Sequence, residues 1–404
     1  MVDRVPDPAH FGISPEYGFL SPQAPLTAFD NPYYEPWDNI NSQLSTLISS
    51  GRVGEAVEKI PFLKADRLNS ELEYRRAYVV LAFLVHAHVW SQKPPNEHIP
   101  PQIADPFLEV CNYLRLEPVL SYAGLCSWNW TVPKTGTLDL RYMETLSSFT
   151  GFRGEAAFYH VPVLIEREGG SLVHLLIDAV RAAADGSRTT VLAALEMTAE
   201  RLARMGEHLA KMYSRLDSRF FYHELRPFFA GGKGMKEKGL PRGMVFQRSN
   251  GSELLCKFTI GGSAAQSSLF HFLDSILGVA HSDHSVFKEM RAYMPGAHRD
   301  FLEEVAKLPS LRVYVEEQSS DLELREAHDE CLTRLRAWRG KHIAMVSKYI
   351  VQPAREMERA AVVDKLEVDG PGETDKEWDL QGTGGSALIP FLRQARDDTV
   401  GFAA

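Results

Sequence analysis

The chain has 404 residues, of which 44% are hydrophobic and 24% are charged. This composition is typical of a folded globular protein and excludes a fibrous or largely disordered chain, and the length allows one or two domains. The net charge of -9 comes without an arginine-rich arm. Nucleic-acid binding therefore lacks its main electrostatic attraction, and no nucleic-acid partner is expected.

The first 36 residues are rich in Pro, Gly and Tyr and have little periodicity, which predicts an irregular arm on the surface. The opening MVDRVPDPAHFG lacks the apolar run of a signal peptide, so a cytoplasmic protein is expected. The longest apolar run, residues 77–90, contains two histidines and is too short to span a membrane. We expect a buried core helix there and no membrane partner.

Helical periodicity runs from Trp37 to about Leu116 and resumes beyond Gly170. The mixed stretch between them places a domain boundary near residues 145–155, which divides the chain into a small N-terminal domain (1–148) and a larger domain (149–404). Residues 189–216 predict an amphipathic helix with one apolar face, formed by Leu192, Leu195, Ala199, Leu202, Leu209, Met212 and Leu216. No strand alternation indicates a central sheet, so the prediction is an all-α fold.

Several other sequence patterns do not indicate a phosphate-binding, disulfide or zinc site. The glycine-rich pieces at 231–234, 261–264 and 382–385 lack the strand and helix context of a phosphate-binding loop, so we interpret them as turns. The four cysteines are scattered, which favours reduced core thiols. The pair His281 and His284 has no further ligand at usable spacing, which disfavours zinc. Residues 357–385 combine charge with glycine and predict a mobile hydrophilic loop.

His342 lies near the end of a second long helical pattern, residues 323–351. Steps of three and four residues place it on an inward stripe with Ala327, Cys331, Leu335, Trp338, Met345 and Tyr349. Spacing alone leaves two interpretations open, a satisfied core histidine or a ligand. A haem would suit the second interpretation, because its flat apolar ring lies between helices while one imidazole holds the iron.

Five stretches resemble the indoleamine 2,3-dioxygenase family, and they occur in the expected order: SYAGLCSWNW (121–130), GGSAAQSSLFHFLDSILG (261–278), MRAYMPGAHRDFL (290–302), LREAHDECLTRLRAWRGKHIAMVSKYI (324–350) and GTGG (382–385). The resemblance covers most of the chain and is weakest over residues 1–60 and 355–380. It implies an all-α fold in which a small N-terminal domain caps a larger domain that contains haem b.

The resemblance also implies roles for individual residues. His342 matches the proximal iron ligand, and Arg226 matches the residue that pairs with the substrate carboxylate. Asp274 and Arg339 match polar positions on the proximal side of the haem, where they would orient the ligand and receive propionates. The remaining positions match the substrate pocket or its lid, and they are Tyr122, Phe158, Phe220, Phe221, Gly262, Ser263, Ala264 and Thr383.

The chain departs from the family at three pocket positions. Pro162 stands where the family has a distal serine, and Leu125 and Cys126 replace the usual pair after the pocket tyrosine. His160 is nearby, but two residues correspond to about 200° around a helix, so it is a poor substitute for a distal histidine. These changes bear on substrate orientation more than on haem binding.

The function implied is a ferrous haem dioxygenase of tryptophan catabolism, which adds O2 across the indole C2–C3 bond of L-tryptophan to give N-formylkynurenine in the kynurenine pathway. No protein side chain is required as an acid or base. An electron donor would keep the iron reduced, and a monomer is expected. Two alternatives stay open: a same-fold enzyme that prefers another indole derivative, and a haem sensor without turnover.

Overall fold

The computed structural model describes residues 5–132, 138–257, 259–282, 284–359 and 388–402. Most of them are helical, so the all-α prediction is confirmed. In the first part of the chain the helices are α1 (Glu35–Ser42), α2 (Leu44–Ser49), α3 (Val53–Lys59), α4 (Glu71–Trp90) and α5 (Pro101–Leu114).

Helix α4 contains the predicted core segment. It begins at a capping box, in which Ser70 and Glu73 each accept a hydrogen bond from the other's backbone N–H. Residues 76–89 are buried, and both histidines of the segment have partners. His86 Nδ1 lies 2.7 Å from the carbonyl oxygen of Phe228, and His88 Nε2 lies 3.0 Å from that of His98. The prediction of a buried core helix is confirmed.

The second part contains the longest helices and most of the cavity described below. Helices α8 and α14 pack against each other, and α6 and α7 pack on α8. The helices are α6 (Arg153–Gly170), α7 (Leu172–Ala184), α8 (Arg188–Ala210), α9 (Ser218–Phe220), α10 (Ser268–Leu277), α11 (His284–Arg291), α12 (Gly296–Val305), α13 (Leu311–Glu317), α14 (Leu322–Val346) and α15 (Leu388–Asp397).

A small sheet lies beside the helices. Strand β1 (His98–Ile99) runs parallel to β2 (Met244–Gln247), and β2 pairs antiparallel with β3 (Glu253–Cys256). Because the strands have only two to four residues, none is long enough to produce a clear alternation in the sequence. The sheet contributes Ile99, Met244 and Phe246 to the hydrophobic core, and its small size leaves the fold class unchanged.

The N-terminal arm is irregular as predicted, with short 3₁₀ turns at Pro8–Phe11 and Pro32–Tyr34. It packs on the rest of the protein through four buried apolar side chains, those of Ile13, Phe19, Leu20 and Tyr34. Phe19 packs against Phe272 and Phe301 of the second part of the chain, with ring centroids 6.3 and 6.0 Å apart. Burial of these rings outweighs the lack of regular structure in the arm.

One hydrophobic cluster contains residues from both sides of the predicted boundary at 148 and 149. Phe83 and Phe149, for example, stack with centroids 4.5 Å apart. The division into two domains therefore stays a prediction. Among the helices of the described ranges, none combines the length and apolar content needed to cross a bilayer.

Candidate functional site

A large cavity opens between helices α6, α8, α14 and α15 and the segments 122–126 and 262–267. The space between its walls, measured out to the mouth, is about 1420 Å³. Its walls include these predicted site residues: Tyr122, Phe158, Phe221, Arg226, Gly262, Ser263, Ala264 and His342.

His342 faces the cavity from the last turns of α14. Its ring stacks on that of Trp338, with centroids 5.6 Å apart and planes 13° apart. Burial lowers the pKa of His342 to about 4, so the imidazole is neutral near pH 7 and keeps a lone pair. Within the described part of the chain, neither ring nitrogen has a hydrogen-bond partner. A neutral imidazole without a protein partner fits an axial iron ligand.

Aromatic side chains form much of the remaining wall. Phe158 stacks on Phe229 with centroids 5.1 Å apart, and it lies 5.0 Å from the ring of Phe221. Phe270 packs 4.0 Å from Trp338, next to His342. A flat apolar ring between helices, held by one imidazole, matches this lining, so the residues present fit a haem.

Arg226 brings positive charge to the cavity wall. It follows the π-helical turn Phe221–Leu225, and its guanidinium lies 5.5 Å from the ring centroid of Tyr222. Burial lowers the pKa of Arg226, but a guanidinium starts from so high a value that it stays charged at neutral pH. A cation in a mostly apolar pocket suits a carboxylate.

Phe220 does not line the cavity, so the structure does not support the substrate contact predicted for it. Its ring packs against Phe152, with centroids 5.4 Å apart. Neighbouring residues on a helical turn point about 100° apart, and here the next residue, Phe221, is the one that faces the cavity.

Asp274 and Arg339 are also absent from the cavity walls in the described residues. Arg339 Nη2 lies 2.6 and 2.7 Å from the two carboxylate oxygens of Asp274. Arg339 Nη1 donates to the carbonyl oxygen of Ala395 at 3.1 Å and to the hydroxyl of Thr399. This geometry does not support the predicted propionate contact. The pair instead fastens the C-terminal segment to α14.

The three departures from the family pattern, Pro162, Leu125 and Cys126, all lie in the cavity wall. A Cβ added to Gly262 would come within 2.3 Å of Leu125 Cδ1, so this glycine leaves room for the leucine. His160 points elsewhere, since its Nε2 lies 3.1 Å from Thr145 Oγ1. The prediction that His160 does not replace a distal histidine is confirmed.

Two further predictions, the loop that contains Thr383 and the histidine pair, fall wholly or partly on residues that the structure does not describe. Thr383 and nearly all of the predicted loop 357–385 lie outside the described residues, apart from 357–359, which are helical. Of the two histidines of the disfavoured zinc pair, His281 donates through Nε2 to Asp274 Oδ2 at 2.8 Å, while the side chain of His284 is not described.

Sequence reasoning missed Glu166, a buried carboxyl on α6. The Tyr122 hydroxyl donates to Glu166 Oε1 at 3.0 Å, and the Ser267 hydroxyl donates to the same oxygen at 2.6 Å. Burial raises the pKa of Glu166 to about 7. One signal could have identified it, a lone carboxyl one helical turn after Pro162 inside the apolar run VPVLIE.

Comparisons with known proteins agree with this geometry. The profile of the family described as indoleamine 2,3-dioxygenase matches residues 7–402. The chain is 38% identical to a 6-hydroxytryptophan 2,3-dioxygenase of Fusarium equiseti, over 99% of this chain and 98% of the relative. It is 33% identical to an indoleamine 2,3-dioxygenase of Saccharomyces cerevisiae, over 97% and 92%.

Human indoleamine 2,3-dioxygenase 2 is also 33% identical to the chain, over 96% of this chain and 94% of the human protein. The match thus extends over both parts of the fold and over every wall of the cavity. The chain belongs to the indoleamine 2,3-dioxygenase family of enzymes.

Proposed function

We propose that this protein is a haem-dependent dioxygenase that opens the indole ring of tryptophan, or of a close indole derivative, with O2. The observation that carries the proposal is His342, a neutral imidazole without a protein partner in the wall of a large apolar cavity. The family resemblance supports haem b as the group that His342 holds. When bound in the ferrous state, haem supplies the redox chemistry that activates O2.

The residues of this chain bind and orient the substrate. Arg226 pairs with the amino-acid carboxylate, while Phe158, Phe221 and Tyr122 pack against the indole. Ser263 and Ala264 add little bulk to the wall, which leaves space for the reacting ring. Holding both reactants in a dry pocket is the protein's main contribution.

No side chain of the cavity is needed as an obligatory acid or base. Pro162 offers no hydroxyl at the position that it occupies in the wall. The electron density for the reaction comes from the indole itself, so this substitution does not remove a required proton carrier. It does change the shape and polarity that the substrate meets.

The second candidate is the same reaction on a ring-substituted tryptophan. Pro162, Leu125 and Cys126 support it, because all three lie in the wall and differ from the family pattern. The name of the relative from Fusarium equiseti points to 6-hydroxytryptophan as one such substrate. A haem sensor without turnover is a third reading, which the buried Arg226 argues against.

Turnover of an anaerobically reduced, haem-loaded sample tests the proposal. On addition of L-tryptophan and O2, we expect the absorbance of N-formylkynurenine to rise. A sensor would bind haem and O2 without forming product from L-tryptophan or from hydroxylated tryptophans. That outcome would refute the proposed dioxygenase activity.

Arg226→Ala tests the carboxylate contact. A charge-assisted hydrogen bond contributes ~1.5–3 kcal/mol, so kcat/KM for L-tryptophan should fall by roughly 10- to 150-fold. Tryptamine has no carboxylate and should lose much less. Arg219→Ala, which removes an exposed arginine of the same segment, is the matched control. Equal losses for tryptophan and tryptamine would mean that Arg226 supports the pocket and does not bind the carboxylate.

The resemblance supports the other parts of the proposal. Thr383 would help to cover the bound substrate, an electron donor would keep the iron ferrous, and the enzyme would work as a monomer in the cytoplasm. Thr383→Ala should lower the rate of turnover without changing the haem content.

A further inference from the structure

We propose that Tyr122, Glu166 and Ser267 form an acceptor site for a hydroxyl group on the benzene ring of a hydroxylated tryptophan. We call these three residues the acceptor site. This inference rests on the proposed function, because it assumes that an indole substrate occupies the cavity.

The acceptor site joins three separate segments: Tyr122 and Ser267 lie in the cavity wall, and Glu166, which is not a wall residue, bonds to both of them. Glu166 belongs to α6, Ser267 precedes α10, and Tyr122 precedes a π-helical turn at Ala123–Ser127. Tyr122 is also held by its backbone, since its N–H donates to the side-chain oxygen of Gln266 at 2.9 Å. The site is therefore a fixed part of the wall.

The direction of the hydrogen bonds determines what the site can recognise. Tyr122 and Ser267 each have one hydroxyl proton, and both protons go to Glu166 Oε1, at 3.0 and 2.6 Å. Each hydroxyl oxygen is then left with lone pairs only. Both residues line the cavity, so a ligand that reaches either hydroxyl oxygen there meets an acceptor and not a donor.

Glu166 keeps this arrangement in place. Its carboxyl is 3% exposed, and within the described residues no donor other than the two hydroxyls lies within hydrogen-bond distance of it. Burial raises the pKa of Glu166 to about 7. Above that pH the carboxylate is ionised and can only accept, which holds both hydroxyl protons away from the substrate.

Such a site favours a substrate that donates. The benzene ring of tryptophan presents only C–H groups, whereas a ring hydroxyl presents an O–H that can donate to Tyr122 or Ser267. A site with buried acceptors discriminates against a ligand that leaves them without a donor. Pro162, one turn before Glu166, has no hydrogen-bonding side chain that could take over this contact. The specificity of the relative from Fusarium equiseti, as its name states it, agrees with this class of substrate.

The test compares two substrates in the haem-loaded enzyme. We would measure kcat/KM for 6-hydroxy-L-tryptophan and for L-tryptophan, and take their ratio, in the wild type and in Tyr122→Phe. Removal of one acceptor should lower that ratio about 2- to 12-fold, the range for one neutral hydrogen bond. Ser267→Ala should lower the ratio in the same direction. 5-Hydroxy-L-tryptophan, measured in parallel, covers a hydroxyl at the neighbouring ring position.

Tyr159→Phe is the matched control. The Tyr159 hydroxyl donates to Glu155 Oε1 at 2.7 Å, so it also belongs to a buried tyrosine–glutamate pair of α6. Tyr159 does not belong to the cavity wall as described. Its loss should leave the substrate ratio at the wild-type value, which separates an effect on the acceptor site from general damage to α6.

Two results distinguish failure of this inference from failure of the proposed function. If wild type forms no product from any of these substrates, the proposed function fails. The same ratio can then be taken from dissociation constants, obtained by titrating the haem absorbance with each ligand. If Tyr122→Phe and Ser267→Ala change the ratio no more than Tyr159→Phe does, for both hydroxytryptophans, the acceptor site is refuted.

Discussion

His86 of helix α4 is buried and His342 of helix α14 is half-buried, and for each histidine loss of solvent around the ring lowers its pKa to about 4. They differ in their partners. His86 lies in the packed core, where Nδ1 is 2.7 Å from the carbonyl oxygen of Phe228 and Nε2 accepts from the N–H of Leu120 at 2.9 Å. His342 lies in the cavity wall and has no such partner in the described structure.

Two carboxyl groups of helix α6 also differ in the number of their hydrogen-bond partners. Glu155, in the core, accepts from the backbone N–H groups of Phe149 and Thr150 and from the hydroxyls of Ser148, Thr150 and Tyr159. Glu166, which bonds to two residues of the cavity wall, accepts in the described structure from only two hydroxyls, both on one oxygen. Buried polar groups usually have their hydrogen bonds made. His342 and Glu166 therefore have more unused hydrogen-bonding capacity than His86 and Glu155, their counterparts in the core.

The largest effect is expected at His342. His342→Ala should abolish stoichiometric haem binding and leave the helical far-UV signal close to wild type, because the side chain makes no hydrogen bond that the fold requires. His86→Ala should do the reverse, with haem retained and stability reduced, since it leaves a backbone N–H and a carbonyl unpaired. Haem content and the Soret band measure both variants. A His342→Ala protein that purifies with full haem would show that His342 does not hold the iron and that it does not differ from His86 in this way.

A large loss of stability is expected when one member of a saturated core pair is removed. Arg339→Ala leaves the buried carboxylate of Asp274 with only His281 at 2.8 Å, and breaking a buried ion pair costs about 3–5 kcal/mol. Denaturant unfolding measures this loss. Arg336→Ala, which removes an exposed arginine from the same helix, should change the unfolding free energy by less than about 0.5 kcal/mol. Comparable values for the two variants would contradict the structural role of the pair.

The smallest effect concerns the pH dependence of stability at Glu166. Its pKa rises on folding from 4.5 to about 7, so its contribution is complete below pH 4.5 and is lost as the pH rises through 7. That change corresponds to at most about 3 kcal/mol. Relative to wild type, Glu166→Gln should therefore gain stability between pH 5 and pH 8. The nearest titratable groups, Tyr122 and Cys126, have pKa values raised by burial and stay neutral over this range.

Glu155→Gln is the comparison variant for the same experiment, because Glu155 is the carboxyl of α6 that lies in the core. An amide nitrogen cannot accept the hydrogen bonds that this carboxylate receives, so the variant should lose stability at pH 8 as well as at pH 5. Urea unfolding of both variants at the two pH values gives the comparison. If Glu166→Gln instead loses stability relative to wild type as the pH rises, the folded protein favours the ionised carboxylate, and the predicted rise in the pKa of Glu166 is wrong.

Helix periods and family motifs were enough to predict much of this protein. The three- and four-residue spacing predicted α4, α8 and α14 and placed His342 on an inward face, because the period of a helix depends only on neighbouring residues. The motifs predicted eight residues of the cavity wall as site residues, including Arg226 and Gly262. The short strands β1 to β3 were not predicted, because two to four residues are too few to show the alternation of apolar and polar residues that indicates a strand.

The partners of the buried polar groups depended on tertiary structure. A helical period shows which face turns inward but says nothing of what a distant segment brings to that face. Tyr122 and Ser267 meet Glu166 across 44 and 101 residues of sequence, and Arg339 meets Asp274 across 65. Packing of these segments left His342 open to the cavity and used Arg339 within the core, although the two residues lie three positions apart on one helix.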